Sequence, residues 1–123
     1  LIAEDNDLNA EIAAAILKRA GLKTECVVNG IQCVNMITKM PADTYDMILM
    51  DIQMPEMDGY EAARAIRQLP DREKACIPII AMTANAFEED KKDAMAAGMN
   101  GHMAKPIQVE QLLSMLAEMM CKK

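Results

Sequence analysis

Residues 47–59 read MILMDIQMPEMDG. The first four, Met47, Ile48, Leu49 and Met50, form an unbroken apolar run, the pattern of a strand covered on both faces, and they lead straight into Asp51 and a turn-rich segment. A carboxylate at the end of a buried strand is penalised by desolvation unless something there uses its charge. What lies at the tips of the neighbouring strands therefore decides how Asp51 is read.

Strand-like runs at Leu1–Ala3, Leu22–Val28, Ile77–Met82 and Asn100–Ala104 join Asp46–Met50, and amphipathic stretches at roughly 7–20, 31–40, 59–68, 87–97 and 108–120 alternate with them. The first stretch carries Leu8, Ile12, Ile16 and Ala20 at helical spacing, with Glu11, Lys18 and Arg19 off that stripe and Asp7 as the expected cap. Gly21 and Gly98 are placed as C-caps. This alternation predicts an α/β domain with a parallel sheet between two layers of helices. Asp46–Met50 and Ile77–Met82 are continuous apolar runs and should be central; Leu22–Val28 holds Lys23, Thr24 and Glu25, Asn100–Ala104 holds Asn100 and His102, and both should be edges. The predicted architecture is a flavodoxin-like, doubly wound five-stranded parallel sheet of order 2-1-3-4-5 with five helices, its switch point between the first and third strands.

Composition narrows the partners. A chain of 123 residues is expected to be one domain, 1–123, and 52% hydrophobic with 26% charged residues predicts a globular one. No apolar run approaches the roughly 20 residues of a membrane helix, and no signal peptide opens the chain. A net charge of −6, with two Tyr, one Phe and no Trp, disfavours nucleic-acid binding and leaves proteins and small cations as partners. Cys26, Cys33, Cys76 and Cys121 share no CxxC spacing and have one histidine for company, so they read as reduced thiols of a cytoplasmic protein. The 13 methionines are spread over nearly every element and read as adaptable core filler. Leu1-Ile2-Ala3 looks like the end of a strand, so residues are expected to precede it; no output domain is expected between the last helix and Cys121-Lys122-Lys123.

In open α/β sheets the functional crevice lies outside the carboxyl ends of the strands. Glu4 and Asp5 follow the first strand, Asp51 the third, Thr83 the fourth and Lys105 the fifth. Adjacent carboxylates repel one another and invite a hard divalent cation with oxygen ligands, Mg²⁺ being usual when a phosphoryl group joins the shell and Mn²⁺ able to take its place. A lysine and a hydroxyl nearby would hold the remaining phosphoryl oxygens, and the central carboxylate can form an acyl phosphate.

With these residues in hand, the chain resembles the receiver domains of two-component response regulators over essentially its whole length. AEDN at 3–6, MDIQMPEMDGYEA at 50–62, IPIIAMTANA at 77–86 and AAGMNGHMAKPI at 96–107 follow the family's order and spacing. The resemblance implies that Asp51 is the phospho-acceptor, that Asp5 ligates Mg²⁺ directly with Glu4 acting through water, and that the backbone carbonyl of Gln53 is a further ligand. It also implies that Thr83 bonds the phosphoryl group, that Lys105 neutralises it, that Lys105-Pro106 carries a cis peptide bond, and that Pro55 and Gly59 shape the loop after the acceptor. The donor would be a histidine kinase or a histidine phosphotransfer domain docking near Asn6 to Ile12. The domain would be a signalling acceptor rather than an enzyme, assisting its own phosphotransfer and autodephosphorylation. EDN, Asn9 and TANAFEED look most like receivers attached to hybrid histidine kinases.

His102 departs from the family pattern, which places Tyr or Phe three residues before the lysine as a rotameric switch. An imidazole is smaller and polar and opposes burial when protonated, so a weaker and pH-dependent switch is expected. Alone, each of these residues has a plainer reading: Asp51 as a turn residue, Glu4-Asp5 as helix caps, Lys105 as a solvated lysine, and the run Glu88 to Asp93 as a solvated helix face. Two rival functions remain. A haloacid dehalogenase-type phosphatase also uses a strand-end Asp and Mg²⁺, but places a second Asp where this chain has Gln53, and a phosphorylation-independent pseudo-receiver would not need the intact set.

Overall fold

The apolar run before Asp51 lies in the middle of a five-stranded sheet. The structure is a computed structural model and describes residues 1–19, 21, 23–41, 44–45, 47–52, 54, 56–83, 88–104 and 109–121. Elements alternate as β1 (Ile2–Ala3), α1 (Asp7–Arg19), β2 (Cys26–Val27), α2 (Gly30–Lys39), β3 (Ile48–Asp51), α3 (Gly59–Arg67), α4 (Arg72–Ala75), β4 (Ile79–Thr83), α5 (Glu88–Ala96), β5 (Gly101–Ala104) and α6 (Val109–Cys121). All pairings are parallel and the order is β2-β1-β3-β4-β5, as predicted.

Side-chain alternation along the central strands feeds two cores. Ile48, Met50, Ile79 and Ala81 pack with Cys33 and Ile37 of α2, Ala62, Ala63 and Ile66 of α3, and Ala94 of α5. Leu49, Ile80, Met82 and Met103 face the other way, onto Ala13 and Leu17 of α1 and Leu112 of α6. Each large side chain so buried contributes about 1.5–3 kcal/mol, which is why β3 and β4 need uninterrupted apolar sequence. Met50, Met82, Met99 and Met103 fill these cores, consistent with the filler reading.

Four expectations need correction. Six helices rather than five stand among the described residues: the extra one is the short α4, capped by Asp71, whose side chain accepts from the amides of Glu73 and Lys74. Its four residues are too few to show helical periodicity. The buried face of α1 is Ala10, Ala13 and Leu17, whereas Leu8 is 65% and Ile12 41% exposed. Ala10 and Ala13 let the helix lie close to the sheet, Ile16 and Leu17 pack against the core, and Leu8 and Ile12 point elsewhere. The cap of α1 is Asn6 rather than Asp7, its Oδ1 accepting from the Asn9 amide at 3.1 Å. Finally, β2 is shorter than Leu22–Val28, as suits a polar edge, and β4 runs from Ile79 to include Thr83. Gly21 and Gly98 do end their helices, with φ of 86° and 97°.

Candidate functional site: the carboxyl edge of the sheet

The buried polar or charged residues among those described are Glu4, Asn29, Asp51 and Thr83. All four stand at, or just beyond, the carboxyl ends of β1, β2, β3 and β4. Among the described residues fully buried polar side chains are confined to this rim, so it is where the fold accepts much of its desolvation cost.

Backbone register places each one. Ala3 pairs with Met50 and with Val27, and the Glu4 amide donates to the Val27 carbonyl at 3.0 Å, so Glu4 leaves β1 beside the end of β3. Asp51 is the last residue of β3, opposite Met82, and the Ile52 amide still donates to the Met82 carbonyl at 3.1 Å. Carboxylate oxygens of Glu4, Asp5 and Asp51 lie within 4.8 Å of one another, with Asp5 exposed and the other two buried. Three hard oxygen donors at that spacing, one open to solvent, fit a divalent cation of the Mg²⁺ kind. Asn6 helps to shape the turn: its amide donates to Glu4 Oε1 at 3.2 Å while its side chain caps α1.

Thr83 ends β4 one residue past Met82, at the same rim. His102 pairs with Ala81, so strand alternation puts His102 and Thr83 on one face of the sheet. His102 is half-buried, and its Nε2 is shielded from solvent with no hydrogen-bond partner among the described residues. Lys105, Pro106, Gln53 and Pro55 lie outside the described residues.

Gly59 is at its post for a steric reason. Its amide donates to the Ile52 carbonyl at 2.8 Å, and a Cβ there would stand 2.5 Å from the Asp51 carbonyl oxygen and 2.9 Å from Ile52 Cα. The start of α3 therefore closes directly onto the end of β3, with Asp58 capping the helix through the Glu61 amide at 2.8 Å.

This arrangement has counterparts of known kind. The family model of the response regulator receiver domain matches residues 1–117. The chain belongs to the response regulator receiver domain family. This receiver domain is 38% identical over 92% of its length to hybrid signal transduction histidine kinase B of Dictyostelium discoideum, and 40% identical over 92% to the signal transduction histidine-protein kinase BarA of Escherichia coli K12. It spans only 6% and 12% of the length of those two proteins. It is also 38% identical, with a TM-score of 0.84, to the receiver domain of a sensor histidine kinase from Pseudomonas aeruginosa PAO1, covering 95% of this chain and 92% of that one. That structure has a magnesium ion coordinated in its active site cleft. The resemblance to hybrid-kinase receivers is thus met, and so is the flavodoxin-like fold.

Sequence reasoning overlooked Asn29 and Arg67. An Asn-Gly pair opening an amphipathic stretch is a legible N-cap signal for Asn29; a lone arginine at a helix end carries none for Arg67.

Proposed function

We propose that this receiver domain accepts a phosphoryl group from a phosphohistidine onto Asp51, in the presence of Mg²⁺, and thereby switches a protein-interaction surface. The convergence of Glu4, Asp5 and Asp51 carboxylates at the carboxyl edge is the observation that carries the reading. A carboxylate oxygen of Asp51 attacks phosphorus in line, the phosphorus–nitrogen bond breaks, and the imidazole leaves, so that an acyl phosphate stands on Asp51. A Mg²⁺ ion held at this cluster would supply the positive charge that offsets repulsion between the carboxylates and an incoming phosphoryl group. Asp5 and Asp51 would hold it directly, Glu4 through water and Gln53 through its backbone carbonyl, and Mn²⁺ could take the same place. The Thr83 hydroxyl donates to one phosphoryl oxygen and Lys105 neutralises another. Attack of water on the same phosphorus returns the free carboxylate, which is the domain's own autodephosphorylation.

The donor is a histidine kinase or histidine phosphotransfer domain, and the whole protein is a hybrid histidine kinase or a regulator served by one, at work in the cytoplasm. No described helix is long and apolar enough to cross a membrane, and a net charge of −6 disfavours nucleic acid as a partner. Leu8 and Ile12, exposed on α1 next to the Asn6 cap, offer the donor an apolar landing at the rim. Inward movement of Thr83 towards the phosphoryl group is read on the α5–β5–α6 side, where His102 shares its face of the sheet.

Incubation with acetyl phosphate and Mg²⁺ tests the reading. Label should appear on Asp51, and p-nitrophenyl phosphate should not turn over. Steady turnover would point to a phosphatase, and absence of label to a pseudo-receiver. Alanine at Leu8, Asn9 or Glu11 should slow transfer from a phosphohistidine donor and spare transfer from acetyl phosphate.

A further inference from the structure

The loop that follows the acceptor is anchored at both ends of its return path, and only one anchor belongs to the site already described. Gly59 brings the loop back to the Asp51 carbonyl. The other anchor is remote in sequence: the Gly30 amide donates to the Met57 carbonyl at 3.1 Å, and Asn29 Nδ2 donates to Glu56 Oε2 at 3.4 Å. Asn29 is 9% exposed and, among the described residues, is the one buried polar side chain of the carboxyl edge that the phosphoryl chemistry does not use. Its Oδ1 caps α2 by accepting from the Gln32 amide at 2.8 Å, so the group that starts the helix also holds the loop. Gly30 leaves no room for alternatives. A Cβ on it would stand 2.5 Å from the Met57 carbonyl oxygen, 2.9 Å from Met57 Cγ and 3.1 Å from Ala62 Cβ.

Between these anchors, Glu56 has φ 66°, the positive-φ non-glycine residue of the described chain. Such a backbone is strained in a residue with a Cβ and persists only where surrounding contacts over-determine it. A loop that were free to relax would release it. Asn29 and Gly30 bond Glu56 and Met57 at this point of the loop.

We infer that Asn29 and Gly30 are positioning residues for phosphorylation: they latch Glu56 and Met57 to the start of α2 and so hold the loop after Asp51 in the shape that receives the metal and the phosphoryl group. The inference rests on the proposed phosphoryl acceptance at Asp51. It deepens that reading by assigning a role to the β2–α2 junction, at the end of a strand that β1 separates from β3.

The test uses the chain with Gly30→Ala and Asn29→Ala, and with Arg67→Met as a control that weakens the fold at the opposite end of the sheet. Two readouts are taken: the Mg²⁺ dissociation constant from amide chemical-shift titration, and hydrogen exchange at the Gly59 amide, which bonds the Ile52 carbonyl. Loss of supporting partners around a metal site typically costs 10–100-fold in affinity, so Gly30→Ala is expected to raise the Mg²⁺ dissociation constant roughly tenfold, and Asn29→Ala by less. Asn29→Ser, which keeps a capping oxygen for α2 and loses the amide donor to Glu56, should resemble Asn29→Ala in Mg²⁺ affinity while regaining stability. Exchange at Gly59 should quicken in all three latch variants and stay at the wild-type rate, relative to global stability, in Arg67→Met. Wild-type Mg²⁺ affinity and Gly59 exchange in Gly30→Ala would overturn the latch, as would an equal loss of affinity in Arg67→Met. If the wild-type chain takes neither Mg²⁺ nor label, phosphoryl acceptance itself fails, and Gly59 exchange still decides whether the latch holds the loop.

Discussion

At the carboxyl edge of the sheet, Glu4, Asp5 and Asp51 crowd like charges within 4.8 Å. At the amino edge, a single cation holds neutral and polar acceptors. Arg67, at the end of α3, donates at 2.7 Å to the carbonyls of Gly98, Ala75 and Ile77 and to Asn100 Oδ1. Asn100 in turn exchanges two bonds with the backbone of Ile79 at 2.9 and 2.7 Å, so the starts of β4 and β5 are tied to α3 and α4 through one guanidinium. Burial lowers the pKa of Arg67, but a guanidinium starts so high that its charge, and these bonds, persist at any working pH. One edge closes its polar groups on a single guanidinium, and the other brings three carboxylates within reach of one ion. The comparison predicts a separation along the strand axis: loss of residues at the amino edge should cost folding alone, and loss of residues at the carboxyl edge should cost chemistry.

The sharpest way to break that separation is Asp51→Asn. The amide keeps the shape and removes the nucleophile, so phosphorylation from acetyl phosphate is expected to vanish while the circular dichroism spectrum stays that of the wild type. Label at the wild-type level on another residue would end the assignment. Arg67→Met is the reciprocal experiment. Loss of four charge-assisted bonds from a half-buried cation should lower unfolding free energy by about 2–4 kcal/mol in denaturant titrations. Acetyl phosphate should still label the folded variant on Asp51 at the normal rate, and a proportional loss of labelling would show the two edges to be coupled.

A smaller effect concerns the cation. A ligand bound only by the native state stabilises it by mass action, so Mg²⁺ at ten times its dissociation constant should add about 1.4 kcal/mol. For a domain of this size the melting temperature should rise by roughly 5 °C. Asp51→Asn relieves part of the repulsion and should shrink the shift. An unchanged melting temperature with both Mg²⁺ and Mn²⁺ would count against the three carboxylates as a metal pocket.

The smallest effect lies in the core between the edges. Burial pushes the Cys33 thiol from its ordinary 9.0 up to about 12. The folded state therefore holds the proton more tightly than the unfolded chain, and this contribution is intact below pH 9 and is lost as pH rises from 9 towards 12. Denaturant midpoints measured at pH 8 and pH 10 should fall more for the wild type than for Cys33→Val. Equal slopes would mean that the thiol is not held in its buried, protonated form. Iodoacetamide at pH 8 should modify exposed Cys26 and Cys76 well before Cys33.

Much of the fold and of the site is legible in the residues themselves. The strand order follows from which runs are continuously apolar, because a central parallel strand is buried on both faces and an edge strand is not. That Asp51, Glu4, Asp5 and Thr83 meet at one rim follows from the same topology, since every parallel strand presents its carboxyl end to the same side. The buried face of α1 is not legible in this way: Leu8 and Ile12 have the right spacing for a core stripe, yet Ala10, Ala13 and Leu17 take the sheet instead. Periodicity marks which residues share a face of a helix, and only close packing against a particular sheet decides which face fits.

Local chemistry, then, was determined by the sequence: apolar runs make the strands, glycines with positive φ end the helices, and acids follow the strands that will carry them. Tertiary structure alone decided what depends on distances between residues far apart in the chain. Asn6 rather than Asp7 caps α1 because the turn from Glu4 presents its side chain to the Asn9 amide. Gly30 must be a glycine because Met57 arrives 27 residues later and sets its carbonyl where a Cβ would stand. Arg67 reaches Gly98 and Asn100 because two helices and two strands bring their ends to one place. Residue type and near-neighbour spacing encode propensity and periodicity, whereas steric exclusion and hydrogen-bond closure between distant segments exist only once the sheet has brought those segments into contact.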